Sequence, residues 1–186
     1  MTATGQAREW TYADYAALPD DGNRYEVLDG EVLVTPAPGT NHQEIVGRLF
    51  RILFEYVDRH RLGRIYYDVD LLFQPHQYLR PDLLFVPSEE KRRLVERGME
   101  GVPGLVVEVI SPGSKQHDSV TKPARYRDFG VLDYWAVDPA RRVVYVYDFR
   151  TSDEPRAEKA RVTWKPNPIV EPLELDVREL FEEPDW

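Results

Sequence analysis

A glutamate stands inside the most apolar strand pattern of this sequence. Glu108 lies in the run 105–110, whose other members are leucine, valine and isoleucine. A near-continuous apolar run is typical of a strand that is buried on both faces. A carboxylate in such a strand needs an arginine, a lysine or a metal ion to offset its desolvation. The sequence therefore predicts an ionic site within a central sheet.

A second acid and a lysine flank this strand. Asp82 begins a short apolar strand, and Lys122 follows on a predicted helix. Asp118, Lys122 and Tyr126 are spaced i, i+4, i+8, so a continuous helix would project all three from one face. Pro123 favours instead a helix that begins near residue 121, with Asp118 in the preceding loop. Two carboxylates at strand ends bind Mg²⁺ through oxygen, and a lysine beside them orients water or stabilises developing charge.

These residues also have structural alternatives. Asp82 fits an acid that starts a strand and faces solvent, as most aspartates do. Glu108 fits a structural salt bridge to Arg64 or Arg80. Lys122 fits an ordinary surface ion pair. The residues alone leave these alternatives open.

The remaining pattern predicts an α/β fold. Apolar residues recur at helical spacing across 41–60, and Asp29-Gly30 marks a two-residue hairpin turn. We expect helices at 11–18, 41–60, 88–97, from the loop after 111 to about 129, and at 177–181, and strands at 24–28, 31–34, 64–73, 82–86, 105–110, 132–137, 142–149 and 161–164. The core order is helix, three strands, helix, strand, with a hairpin in front and strands behind. No repeat or linker interrupts the 186 residues, which predicts one domain over 1–186.

Composition narrows the class of protein. There is no cysteine, which excludes disulfides and thiolate sites and fits a cytoplasmic protein. The N-terminus has no apolar core of a signal peptide, and no apolar run approaches the roughly 20 residues that span a bilayer. A net charge of −9 argues against a protein that coats nucleic acid non-specifically, but favours a site that collects divalent cations.

Several short motifs together resemble a known nuclease family. They are Tyr25-Glu26-Val27-Leu28-Asp29-Gly30-Glu31, then His42 with Ile45 and Leu49, then Arg80-Pro81-Asp82, Val107-Glu108-Val109-Ile110-Ser111-Pro112, Asp118 with Lys122 and Tyr126, and finally Gly130-Val131 through Tyr134-Trp135-Ala136-Val137-Asp138-Pro139. Their order and spacing resemble the PD-(D/E)XK nuclease superfamily and, more narrowly, the Uma2 family of bacterial endonucleases. The resemblance covers about residues 24–149.

The resemblance implies a restriction-endonuclease-like core (αβββαβ) and a role for each site residue. Asp82 and Glu108 would hold Mg²⁺ or Mn²⁺, helped by the Val109 carbonyl, and Lys122 would be the catalytic lysine. Glu26 would be a further acid that reaches the site from the N-terminal hairpin. A hairpin residue facing solvent is the equal alternative for Glu26, and a polar residue without a catalytic role is the leading alternative for His42.

One departure from the superfamily motif bears on activity. The motif has a lysine two residues after the glutamate, and here that position is Ile110. Activity therefore depends on Lys122 acting from the helix. The sequence leaves three functions: a Mg²⁺-dependent nuclease acting on DNA, a binding or scaffold module that keeps the fold without catalysis, and another metal-dependent hydrolase of unspecified substrate.

The expected partners are nucleic acid, in the first place DNA, and a second copy of the chain. A homodimer is common among nucleases that cut two strands, with the hairpin and the aromatic residues Tyr145, Tyr147, Phe149 and Trp164 as candidate contacts. Basic candidates for phosphate contact are Arg80, Lys91, Arg92, Arg93, Lys115 and Arg125, although ordinary solvated charge is the better account of most of them.

Overall fold

A computed structural model describes residues 9–73, 76–111, 113 and 120–182. The α-helices are α1 (Tyr12–Ala16), α2 (Thr40–Arg59) and α3 (Lys122–Asp128), and 3₁₀ helices span Ser88–Arg93 and Val177–Leu180. The strands are β1 (Arg24–Leu28), β2 (Glu31–Thr35), β3 (Gly63–Tyr67), β4 (Leu71–Phe73), β5 (Gln77–Leu79), β6 (Leu83–Pro87), β7 (Leu94–Val95), β8 (Gly98–Met99), β9 (Leu105–Val109), β10 (Asp133–Asp138), β11 (Val143–Asp148), β12 (Arg156–Glu158), β13 (Arg161–Trp164) and β14 (Leu173–Asp176).

The central sheet has the order β12-β11-β10-β9-β6-β3. Strands β9 and β10 are parallel, and the other neighbours are antiparallel. A helix, three strands, a helix and a further strand thus contribute in the predicted order. The parallel step from β9 to β10 is made through α3, as a parallel connection requires a crossover. This sheet is where the candidate site residues of β6 and β9 lie.

A second mixed sheet has the order β2-β1-β5-β4-β8-β7, and β13 pairs with β14 in a separate hairpin. The second sheet begins with the predicted hairpin, whose turn residues Asp29 and Gly30 both have positive φ, as a type I′ turn demands. This sheet brings Glu26 of β1 towards the central sheet. Among the described residues, no helix is long and apolar enough to cross a membrane.

Alternating side chains of β6 and β9 bury both faces of the central sheet. On one face, Leu83 and Val107 pack against α2 and the C-terminal hairpin. On the other face, Leu84 and Val106 pack against α3 and the second sheet. The central strands therefore have apolar neighbours above and below, as the pattern of β9 predicts. A polar side chain on either face must find its partner inside the protein.

The predicted strand 64–73 is wrong, because the chain divides it between two sheets. Strand β3 pairs with β6 in the central sheet, whereas β4 pairs with β5 in the second sheet. Asp68 lies at the break with φ of 52°, a left-handed conformation that aspartate tolerates better than most residues. Apolar residues continue on both sides of the break, so the sequence pattern did not reveal it.

The predicted helix 88–97 is also wrong beyond its first part. Only Ser88–Arg93 is helical, as a 3₁₀ helix without a buried residue. The chain then forms a short hairpin in which Leu94 pairs with Met99, and Met99 also pairs with Leu71 of β4. Because a highly charged helix here has no apolar face to bury, pairing with the second sheet prevails over local helix propensity.

The N-cap of α2 is Gly39, which makes no side-chain hydrogen bond, although the neighbouring Thr40 and Asn41 are of types that favour this position. At the other end the chain turns at Arg61, with φ of 53°. The buried face of the helix, including Ile45 and Leu49, is as the periodicity predicts.

Two of the aromatic residues expected at a dimer contact are buried within the chain. Trp164 lies in the core with α2, and its ring contacts those of Tyr56 and Phe85. Tyr147 lies in the core on the opposite face and contacts Tyr134. These two side chains therefore cannot make the predicted contact between copies, because they are already packed in their own chain.

Replacing Gly63 with alanine is expected to destabilise the central sheet by about 2–3 kcal/mol. A Cβ atom at Gly63 would lie 2.0 Å from the carbonyl oxygen of Val86 in the neighbouring strand. Gly47→Ala is the matched control, because its Cβ would meet nothing within 4 Å on the exposed side of α2. We expect the control to gain about 0.5–1 kcal/mol from helix propensity. Urea denaturation measures the free energy of unfolding of both variants. Equal stability of Gly63→Ala and wild type would contradict the clash.

Candidate active site

Asp82 and Glu108 lie beside each other on one face of the central sheet. Leu83 pairs with Val107 in the antiparallel register of β6 and β9, so Asp82 stands opposite Glu108 one step further along. Asp82 is 4% exposed and Glu108 is 2% exposed. Asp82 therefore does not face solvent, and the structural alternative for this residue is wrong. Two carboxylates at adjacent strand positions share a site a few ångströms across.

Asp82 is held in its charged form by three donors. Arg24 Nη1 donates to Oδ1 at 2.7 Å, and the backbone N–H of Val109 donates to Oδ2 at 2.7 Å. His42 Nε2 lies 3.1 Å from Oδ2 and acts as a donor to this anion, which leaves the proton on Nε2. Burial alone would raise the pKa of Asp82. The hydrogen bond from His42 and the charge of Arg24 lower it, and the pKa lies below its ordinary value of 3.8.

Lys122 forms a buried ionic bridge between the other two acids. Its Nζ lies 2.9 Å from Glu108 Oε1 and 2.8 Å from Glu26 Oε2. All three side chains are less than 5% exposed. Lys122 is the first residue of α3, where the following proline is tolerated because the first amide of a helix needs no partner. Pro123 therefore does not turn the lysine away from the acids.

Further hydrogen bonds fix the two glutamates. Tyr126 donates from its hydroxyl to Glu108 Oε1 at 3.0 Å, and the Arg80 N–H donates to Glu26 Oε1 at 2.8 Å. Burial raises the pKa of Tyr126 well above 10, and the charge of Glu108 raises it further, so the hydroxyl stays a donor. Tyr126 and Lys122 reach the same carboxylate from one face of α3, as their i, i+4 spacing predicts.

The partners predicted for a purely structural salt bridge at Glu108 are wrong. Arg64 pairs with Asp58 at 2.9 Å on the surface. Arg80 directs its side chain to Asp70 at 2.8 Å. The solvent-facing alternative for Glu26 is also wrong, because that side chain is buried against Lys122.

The charge and donor types of the site fit a hard divalent cation. Three carboxylates face two cationic side chains, Arg24 and Lys122, which leaves one net negative charge when His42 is neutral. No group of three or more histidine or acidic side chains among the described residues could hold a metal ion. Mg²⁺ usually takes one or two carboxylates and completes its shell with water and phosphate. Asp82 and Glu108 are the two carboxylates at adjacent strand positions that could hold it.

Two neighbouring cavities border these residues and share part of their lining. The inner cavity, about 20 Å³, is lined by the site residues Arg24, Glu26, His42, Asp82, Glu108, Val109 and Lys122, together with Thr35, Pro36, Pro38 and Ser111. That volume accommodates one water molecule or ion. The outer cavity, about 430 Å³, shares Arg24, Pro38 and Asp82 with the inner one. Asp82 therefore lines both the small inner cavity and the outer cavity, which has the size of a ligand site.

The structure brings together the four predicted site residues Glu26, Asp82, Glu108 and Lys122. It also places His42 directly on Asp82, although its leading interpretation gave it no role. Arg24 was missed entirely. The signal was present, because residues i and i+2 of a strand share a face and Arg24 stands two positions before Glu26.

The residues predicted to contact phosphate lie in different parts of the structure. Arg80 lines the outer cavity. Lys91 lines a different cavity beside β3, and Arg125 pairs with Asp29 on the surface. Lys115 and Asp118 lie outside the described residues.

Comparisons with known proteins agree on the family. The model of the Uma2 family, described as "Putative restriction endonuclease", matches residues 12–178. No curated protein matches the sequence. Among solved structures, the chain is similar to a "putative nuclease belonging to DUF820 from Anabaena variabilis ATCC 29413", with a TM-score of 0.74 and 19% identity over 92% of this chain and 97% of that one. That likeness confirms the fold. Because the family model spans most of the sequence, this chain belongs to the Uma2 family.

Proposed function

We propose that this protein is a divalent-metal-dependent nuclease that hydrolyses phosphodiester bonds of DNA. The observation that carries the proposal is the buried Lys122, in contact with Glu108 and Glu26, beside Asp82 at the floor of a cleft. Strongly desolvated ionic groups in a cleft are typical of functional sites. Membership in a family described as restriction endonucleases supports phosphodiester bonds as the substrate.

Asp82 and Glu108 would hold Mg²⁺ or Mn²⁺. A metal ion of this kind polarises a phosphoryl oxygen and lowers the pKa of a bound water. Lys122 Nζ would orient the attacking water and stabilise the negative charge that develops on the phosphate. Glu26 would hold the lysine beside Glu108 through its 2.8 Å ion pair. Arg24 and His42 keep Asp82 ionised and in place.

A binding or scaffold module is the competing function, and the site geometry counts against it. That function predicts a lysine that points away from the acids and no concavity between them. Lys122 instead contacts Glu108 at 2.9 Å within a lined cavity. A buried network of three acids is an expensive way to stabilise a fold, because apolar residues of similar volume do so equally well.

Cleavage assays with purified protein test the proposal. We expect cleavage of linear or plasmid DNA in Mg²⁺ or Mn²⁺ and none in EDTA. Asp82→Asn should abolish it, whereas Asp58→Asn, on a surface acid that pairs with Arg64, should cleave like wild type. Calorimetry should show a divalent ion bound by wild type but not by Asp82→Asn. A protein that binds no divalent ion and cleaves no DNA would contradict the proposal.

We also infer that the protein is a homodimer, in which two copies would cut two strands. The N-terminal hairpin offers the contact, since Val34 on the edge strand β2 is 52% exposed. Light scattering after size exclusion is expected to give about twice the chain mass of 21.7 kDa. Val34→Lys should shift the protein to monomer without unfolding it. A wild-type protein that stays monomeric at high concentration would contradict the inference.

A further inference from the structure

An exposed tyrosine stands at the rim of the outer cleft. Tyr67 ends β3 and lines the same cavity as Arg24, Arg80 and Asp82. It is 62% exposed, in contrast to the buried tyrosines of the core. The ring lies at the end of an edge strand.

The ring is nevertheless held in place. It meets Phe50 of α2 edge to face, with 5.3 Å between ring centroids and an interplanar angle of 88°. Phe50 in turn stacks on Phe54 of the same helix at 5.6 Å. Edge-to-face contact is a favourable arrangement for aromatic rings. Tyr67 therefore packs on Phe50 while most of its surface remains exposed.

Charged side chains of both signs line the cleft together with this ring. Arg24 donates to Asp82, and Arg80 pairs with Asp70. Both guanidinium groups also lie 3.9 Å from Asp68. The cleft therefore combines two arginines, several acids and one exposed aromatic ring.

We propose that Tyr67 is a stacking platform for an unpaired nucleobase next to the phosphate that enters the site. The choice of a nucleic acid as the occupant rests on the nuclease function proposed above. The outer cavity, about 430 Å³, has the size of sites that hold small organic ligands. An aromatic face beside cationic side chains is the usual arrangement for single-stranded nucleic acid, because every base has a π face.

A second copy of the chain is a poorer occupant. The cleft is lined by charged side chains of both signs, including Asp20, Asp68 and Arg80, and a protein interface excludes such charges from its centre. A phosphodiester strand would take the place of Asp68 beside the two arginines, which keep their shorter ion pairs with Asp82 and Asp70. The contacts of Asp68 are long, at 3.9 Å, and cost little to exchange.

Binding of short oligonucleotides in EDTA tests the platform without cleavage. Fluorescence anisotropy would compare a labelled single-stranded oligonucleotide with an abasic one of equal length. We expect Tyr67→Ala to weaken binding of the first by about tenfold and to leave binding of the second unchanged. Tyr67→Phe should bind both like wild type. Ile169→Ala, at an exposed residue between β13 and β14, is the control for loss of a surface apolar side chain.

The outcomes separate this inference from the nuclease function. Base-dependent binding that is lost in Tyr67→Ala supports the platform even if no DNA is cleaved, in which case only the nuclease function fails. Equal binding of the two oligonucleotides by wild type and Tyr67→Ala overturns the platform, even if wild type cleaves DNA. A change from dimer to monomer in Tyr67→Ala, with base-dependent binding intact, also overturns it in favour of a contact between copies.

Discussion

Replacing Lys122 with methionine is expected to lower the free energy of unfolding by about 3–5 kcal/mol in EDTA. The lysine is the cation between Glu26 and Glu108, and methionine would leave two buried carboxylates near each other without the positive charge between them. Mg²⁺ should recover part of this loss, because an ion can take over the charge that the ammonium supplied. DNA cleavage should nevertheless fall by about 10²–10⁴-fold, since the ion does not replace the positioned amine.

Urea denaturation in EDTA and in Mg²⁺, for wild type and variant, gives the four stabilities that this prediction compares. Lys165→Met, on an exposed lysine, is the matched control and should change neither stability nor cleavage. If Mg²⁺ stabilises Lys122→Met no more than wild type, the acids are not the metal site. If cleavage survives the substitution, the catalytic role of the lysine is wrong.

Glu108→Gln should remove catalysis while keeping most of the fold. Glutamine has the same shape, and its Oε1 can still accept the hydrogen bonds of Lys122 and Tyr126. The loss of stability should be smaller than for Lys122→Met, because Glu26 still pairs with the lysine. Cleavage should fall by at least about 10²-fold, since a metal ion contributes several kcal/mol to the transition state and each 1.36 kcal/mol is tenfold in rate.

Calorimetric titration with Mn²⁺ would show whether the rate loss follows metal binding. We expect Glu108→Gln to bind Mn²⁺ far more weakly than wild type. Glu44→Gln changes an exposed glutamate of α2 that pairs with Arg48, and it should behave like wild type in both assays. Full cleavage by Glu108→Gln would exclude a catalytic role for this acid.

The sequence predicted the elements whose patterns are local. The apolar stripe of α2, the Asp29-Gly30 hairpin and the buried strand β9 each follow from periodicity and turn chemistry within a few residues. The break at Asp68 could not be predicted in the same way. Apolar residues on both sides of Asp68 are equally suited to one strand or to two, and only their pairing with β6 and β5 distinguishes the cases.

The site residues also differ in whether the sequence alone could indicate them. Glu108 was predicted because a charge in an apolar strand is costly and needs an explanation. Arg24 and His42 are unremarkable in their own segments, and their meaning comes from Asp82, which is distant in sequence. Resemblance to a family supplied Glu26, whose burial depends on how the hairpin packs over α3. A contact between residues that are distant in sequence produces no periodic pattern by which it could be predicted.

Arg80 connects the site to the N-terminal part of the chain. Its N–H holds Glu26, its carbonyl accepts from Arg24, and its side chain pairs with Asp70, which also accepts from Tyr15 of α1. Local unfolding of α1 would therefore loosen the residue that fixes two members of the site. The amides of the hairpin and of the site strands should then form one cooperative unit in hydrogen exchange. Through Asp70 and Arg80, the short N-terminal helix therefore contributes to the positions of Glu26 and Arg24.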